Sequence, residues 1–171
     1  GAGAVATGVA LLGFAVLGWL GYARLRGRLE RVPAGDIALA VVLISIATSR
    51  VFSPQYMVWV AGIGAFAMLD ARTRMRPVLW LAMLTAICGQ LVYPIYYGSM
   101  IDGTWQGVFF QITRIALLVT ATVWATVNVL RPNQYAEAES EIDITEQISS
   151  IRVNPVEQLG QAGGDERPAP R

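Results

Sequence analysis

Arg50-Val51-Phe52-Ser53-Pro54-Gln55-Tyr56 interrupts an apolar sequence that runs from Ile37 to Thr48 on one side and from Met57 to Leu69 on the other. A polar, proline-containing break is costly in such surroundings, because backbone groups at membrane depth must find partners inside the protein or in a water-filled cavity. The helix before the break, Ile37 to Ser49, spans about 20 Å and the one after it, ending at Leu69, roughly 24 Å; both fall short of a hydrocarbon core about 30 Å thick. Ser53 is expected to cap the second helix, with Pro54 at its first position, where a missing N–H costs nothing. Asp36, following the Pro33-Ala34-Gly35 turn, is expected to cap the first. The plainer alternative is a simple hairpin turn at the membrane surface.

Charge on either side of this region orients it. Arg24, Arg26, Arg28 and Arg31 precede it, and Arg72, Arg74 and Arg76 follow. Both clusters favour the cytoplasmic side, so the number of crossings between them should be even and the break should face outward. A first span is expected from Ala4 to Ala23, where Ala4 and Gly8 allow close helix approach. A third runs from Pro77 to Tyr97. Pro94 frees the carbonyl of Gln90 and should kink that helix. Tyr93, Tyr96 and Tyr97 form an outer aromatic belt. The last span is expected from Trp105 to Leu130. The fold class is therefore all-α, a polytopic transmembrane helix bundle of about five crossings, two of them short, with a disordered cytoplasmic tail.

Composition supports the membrane assignment. The chain has 171 residues, of which 54% are hydrophobic, concentrated in long runs rather than alternating. It contains no Lys and no His, so His can serve neither as general base nor as metal ligand. A single Cys88 excludes an internal disulfide and any Cys-based metal site, and reads as a small buried residue. Positions 1–131 are expected to form the transmembrane region and 132–171 a polar tail, largely disordered, most clearly over the Gly/Pro-rich stretch Gln161 to Arg171. Within the tail, Asp143 and Glu146 have capping-box spacing, and Ile144, Ile148 and Ile151 fall on one helical face, so a short surface or partner-bound helix is an alternative there. An apolar run beginning at once after Gly1, with no basic flank, does not resemble a signal peptide. The expectation is the C-terminal part of a longer protein.

Arg114 is the strongest candidate for chemistry. It lies nine residues, about 13 Å, into the last span. An Arg at that depth costs about 2.5 kcal/mol or more unless it is paired or reaches water. Snorkelling to the outer surface is one explanation. The other is a fixed positive charge for an anionic ligand arriving from the membrane, such as a lipid phosphate, which the planar guanidinium can grip bidentately. Arg50, at a predicted outer boundary, breaks the positive-inside pattern. Ser53, Gln55 and Tyr56 add hydrogen-bonding groups suited to sugars or phosphates; for Tyr56, anchoring at the interface is an equal alternative. Asp102, the one carboxylate expected outside, reads as a solvated loop residue. Phosphate-cradling Gly-rich loops, metal-ligand clusters and nucleophile triads are absent from the sequence. The inner Arg clusters suit lipid headgroups and call for no nucleic acid.

Arg50-Val51-Phe52-Ser53-Pro54-Gln55-Tyr56-Met57-Val58-Trp59 resembles a segment of bacterial GT-C class glycosyltransferases, and looks most like the polyprenyl-phosphate-mannose-dependent mannosyltransferases of actinobacteria. There a segment of the form K/R-V-x-S-P-Q-Y-x-x-W recurs in the C-terminal half of a multi-span protein. The resemblance is close over about ten residues. It implies an inverting membrane enzyme that transfers a sugar, mannose in that family, from a polyprenyl phosphate carrier to a lipid or glycan acceptor on the extracytoplasmic face, without a cofactor. The catalytic base of the class lies on the first extracytoplasmic loop, so no residue of this chain is expected to be catalytic. Arg50, Ser53, Gln55 and Tyr56 would line the substrate cavity; Arg114 joins them from its depth and charge, not from the resemblance. The rival readings are a transporter or flippase fragment, since broken helices also build transport sites, and a non-catalytic membrane subunit whose tail recruits a partner.

Overall fold

A computed structural model describes residues 2–49, 55–95 and 97–153. The described residues are all-helical. The helices are α1 (Ala2–Leu25), α2 (Ala34–Thr48), α3 (Tyr56–Ala67), α4 (Arg76–Gln90), α5 (Tyr97–Ile101), α6 (Trp105–Val129) and α7 (Asn133–Val153), with a wider-turned segment, Leu91–Ile95, between α4 and α5. Among the described residues, three helices are long and apolar enough to cross a membrane: Gly3–Leu25, Arg76–Tyr93 and Trp105–Val129. Helices α2 and α3 are shorter. Most side chains of the long spans face outward, as lipid-facing apolar helices must; Phe14, Trp80 and Trp105 are each more than 70% exposed.

Helix α2 is the hub. Leu39, Ala40 and Leu43 are fully buried in a core completed by Leu20 and Ala23 of α1, Val60 of α3, Val78 and Ala82 of α4, and Ala121, Ala125 and Val129 of α6. Small residues set how closely the helices approach. A Cβ on Gly35, in the first turn of α2, would lie 2.7 Å from the Cα of Ala67, the last residue of α3. The start of α2 therefore meets the end of α3, and the two form an antiparallel hairpin. The other end of α2 is fixed by Gly13, which packs against Thr48. Gly13 lies 12 residues, about 18 Å, from the Arg-rich end of α1, which is about 36 Å long in all. The C-terminal end of α2 thus lies level with the middle of α1.

The Gly35 contact is with backbone, which cannot rotate away. Gly35→Ala is expected to cost about 1–3 kcal/mol, as overpacking does, read as a lowered unfolding temperature in detergent. Gly64 packs against the Leu79 side chain, which can turn, so Gly64→Ala should cost less. Equal losses at the two sites would contradict the close α2–α3 approach.

Arginine-bearing turns share the end of the body where α2 begins. Gly27 (φ 73°) turns the chain out of α1; its N–H donates to the Arg24 carbonyl (3.1 Å) and that of Arg28 to the Ala23 carbonyl (3.0 Å). Asp36 is not the expected cap. Pro33 flanks α2, and Asp36 lies in the first turn with no capping bond. Its carboxyl group is fully buried and accepts instead from the Thr73 hydroxyl (2.6 Å), the Arg74 N–H (3.2 Å) and the Tyr135 hydroxyl (2.9 Å). The Thr73 oxygen in turn accepts the Met75 N–H (3.2 Å), and Asn128 donates its side-chain N–H to the Arg74 carbonyl (3.0 Å). This cluster ties the start of α2, the α3–α4 turn, the end of α6 and the start of α7 together. The compact body accordingly runs through Tyr135.

Pro94 acts as expected. The residue before a proline is driven out of the helical region, and Tyr93 is extended (φ −127°, ψ 113°), kinking the chain. Tyr93 and Tyr97 meet edge to face with ring centroids 5.4 Å apart; Tyr96 lies outside the described residues. The tail is described as far as Val153. It begins with the 21-residue helix α7, longer than the short helix weighed as the alternative. Asp143 lies inside that helix, where it accepts from Gln147 (3.5 Å), so its spacing to Glu146 is not a cap. Gln161 to Arg171 lies outside the described residues. From Ala136 on, the chain forms a separate unit.

Candidate functional site at the hairpin tip

Helix α6 runs past α2 with its polar residues in register. The Thr122 hydroxyl approaches the Leu43 carbonyl (3.4 Å). One turn further along α2, Ile46, Ala47 and Ser49 face Gln111, Arg114, Ile115, Leu118 and Val119 across a cavity of about 280 Å³. Arg114 is partly buried there and its Nε is enclosed. Gln111 Oε1 is also buried and finds no hydrogen-bond donor among the described residues. Gln111 and Arg114 are three residues apart on α6 and so share a face. Gly89 of α4 passes behind them: a Cβ there would stand 3.6 Å from the Arg114 Cδ, so bare backbone leaves room for the side-chain stem.

Depth gives this polar group its meaning. Arg114 is 15 residues, about 22 Å, from the C-terminal end of α6. Ser49 ends α2 at a comparable distance. The two therefore meet at the C-terminal end of α2, not at the Arg-rich end. Ser49 also lines a second cavity of about 250 Å³ on the opposite flank of α2, with Ala10, Phe14, Leu17, Ser45 and Thr48. The hydroxyls in that cavity are turned back on the helix: Ser45 donates to Val41, Thr48 to Ile44 and Ser49 to Ile46, each at 2.8 Å. Such hydroxyls offer little to a polar ligand, and the second cavity is effectively apolar. The tip of α2 thus separates a cationic cavity from an apolar one.

Of the residues expected from sequence to form a site, Arg114 lines the cationic cavity. Arg50 and Ser53 lie outside the described residues. Gln55 is exposed immediately before α3, and its carbonyl accepts the Val58 N–H (3.1 Å). Tyr56 packs against the core; no described hydrogen bond joins Gln55 or Tyr56 to Arg114. Asp102 is exposed beyond α5, and only its backbone is bonded, to Gly98 (2.9 Å). Cys88 is a free thiol, half-buried rather than buried. Sequence reasoning passed over Gln111 and Ser49. The signal for Gln111 was present: a second polar residue one turn before Arg114 in an apolar run.

No protein-family model, curated protein or solved structure matches this chain.

Proposed function

We propose that the cavity at the hairpin tip holds the phosphate of a polyprenyl-phosphate-linked sugar, and that the chain is the lipid-donor part of a GT-C type membrane glycosyltransferase. The observation that carries the reading is Arg114 level with the end of α2, beside the buried acceptor Gln111. A phosphate entering laterally from the bilayer would meet a guanidinium already held in place, while its isoprenoid chain stays in the hydrocarbon. The sugar-bearing ligand also supplies hydroxyl donors, which a buried Gln111 oxygen requires. In this reading the Arg-rich end is cytoplasmic and the hairpin is re-entrant, opening toward the extracytoplasmic half of the membrane.

The charge balance of the reaction favours a cation at this point. A polyprenyl phosphate sugar is a phosphodiester with one negative charge. The acceptor oxygen forms its bond to the anomeric carbon as the carbon–oxygen bond to phosphate breaks, and the electron pair leaves with the phosphate, which becomes a dianion. The acceptor's proton goes to a carboxylate base that we do not assign to this chain. Charge grows on the phosphate during transfer, so an Arg held there stabilises the transition state more than the bound donor.

The test is retention of lipid by the purified chain in native mass spectrometry. Polyprenyl phosphate should remain bound and be displaced by polyprenyl-phosphate-mannose, and the matching polyprenol without phosphate should not bind. Equal retention of alcohol and phosphate would remove the reading. Mannose transfer from polyprenyl-phosphate-mannose by membranes containing the parent protein separates an enzyme from a transporter, which would bind the lipid and transfer nothing.

A further inference from the structure

Helix α7 past Tyr135 carries a pattern unrelated to the membrane site. Glu137, Glu141, Ile144, Ile148 and Ile151 follow one another at spacings of four, three, four and three residues. That alternation is the seam of a two-helix coiled coil, with one stripe turned toward a partner. Ile144 and Ile148 are each 56% exposed, and Glu137 and Glu141 are exposed on the same stripe. The seam is apolar at one end and acidic at the other.

We infer that this stripe docks a basic amphipathic helix from another protein, with apolar residues meeting Ile144 and Ile148 and Lys or Arg meeting Glu137 and Glu141. Charge excludes the other occupants. In a parallel pair of identical α7 helices, Glu137 and Glu141 would each face their own copies. In an antiparallel pair they would be pressed against isoleucines with no cation on the seam. An anionic leaflet is no better: Ala136–Val153 has five acids and one Arg, and the surface potential that attracts basic segments repels this one. A basic helix alone satisfies both ends of the stripe.

The experiment uses the full chain in nanodiscs of neutral lipid and two 21-residue helical peptides. One has Leu at three–four spacing followed by Lys placed to meet the two glutamates; the other has Glu in place of Lys. The basic peptide should bind saturably and weaken as salt is raised. Ile144→Gln/Ile148→Gln, which keeps good helix formers in place, should weaken binding about tenfold or more, as loss of central apolar anchors does. Ile142→Gln, on the opposite face, should leave it unchanged. Equal binding of the two peptides, equal effects of the seam and off-seam substitutions, or a change in the oligomeric state of the chain on mutating the seam without peptide would each overturn the inference.

Discussion

Replacing Asp36 with alanine is expected to destabilise the helical body by about 3–5 kcal/mol, because one change strands several buried donors at once. The Thr73 hydroxyl, the Arg74 N–H and the Tyr135 hydroxyl all point at this carboxyl group. With alanine there, the Thr73 hydroxyl loses its acceptor, while its oxygen keeps the Met75 N–H. Asp36→Asn should cost less. Its amide oxygen can still accept from Arg74 and Tyr135, and its NH₂ can donate to the second lone pair of Thr73. Tyr135→Phe removes one bond and adds a pH signature. Burial first, and the charge of Asp36 second, hold the Tyr135 hydroxyl far above the ordinary phenol range. A group whose pKa is raised by folding stabilises the fold below its unfolded value and loses that contribution as pH climbs past it. The body should therefore lose stability as pH rises beyond about 10, the unfolded phenol value, and Tyr135→Phe should flatten that fall. Thermal unfolding in detergent between pH 7 and pH 11 reads both effects. A profile identical in Tyr135→Phe and the parent chain would separate Tyr135 from the cluster.

Arg114→Gln is expected to lower affinity for polyprenyl phosphate about 10–100-fold, the loss of a bidentate, charge-assisted pair. Arg114→Lys should fall between, because an ammonium keeps the charge without the planar fork. Stability should hold. Ile46, Ile115 and Leu118 line the same cavity and suit an aliphatic side chain, so Arg114→Leu should leave the body about as stable as before. That split distinguishes a ligand-binding residue from one kept for packing, whose loss would lower stability and leave lipid binding alone. Native mass spectrometry of the lipid complex and thermal unfolding of the ligand-free chain give the two halves. Parallel losses in both would assign Arg114 to the fold rather than to a site.

What the sequence determined by itself was whatever depends on near neighbours. Apolar runs of sufficient length became α1, α4 and α6, since hydropathy and helical rise are local quantities. Pro94 bent the chain at Tyr93 because a proline ring clashes with the residue before it. The two short apolar runs became two short helices, and their antiparallel return agrees with like Arg clusters at either end. Tertiary structure decided what depends on partners distant in sequence. Asp36 has the residue type and place of a cap, yet its oxygens are taken by donors 37, 38 and 99 residues away; a carboxylate that can reach several buried donors is held there more strongly than by one exposed helix end. Gln111 became part of the candidate site only when α6 lay against the end of α2 and shut it away from water. The tail helix kept its stripe where spacing put it, but a capping box read from two residues gave way to a helix already under way. Where α2 ends along α1 was decided by Gly13 meeting Thr48, a close contact of two helices that no local pattern encodes.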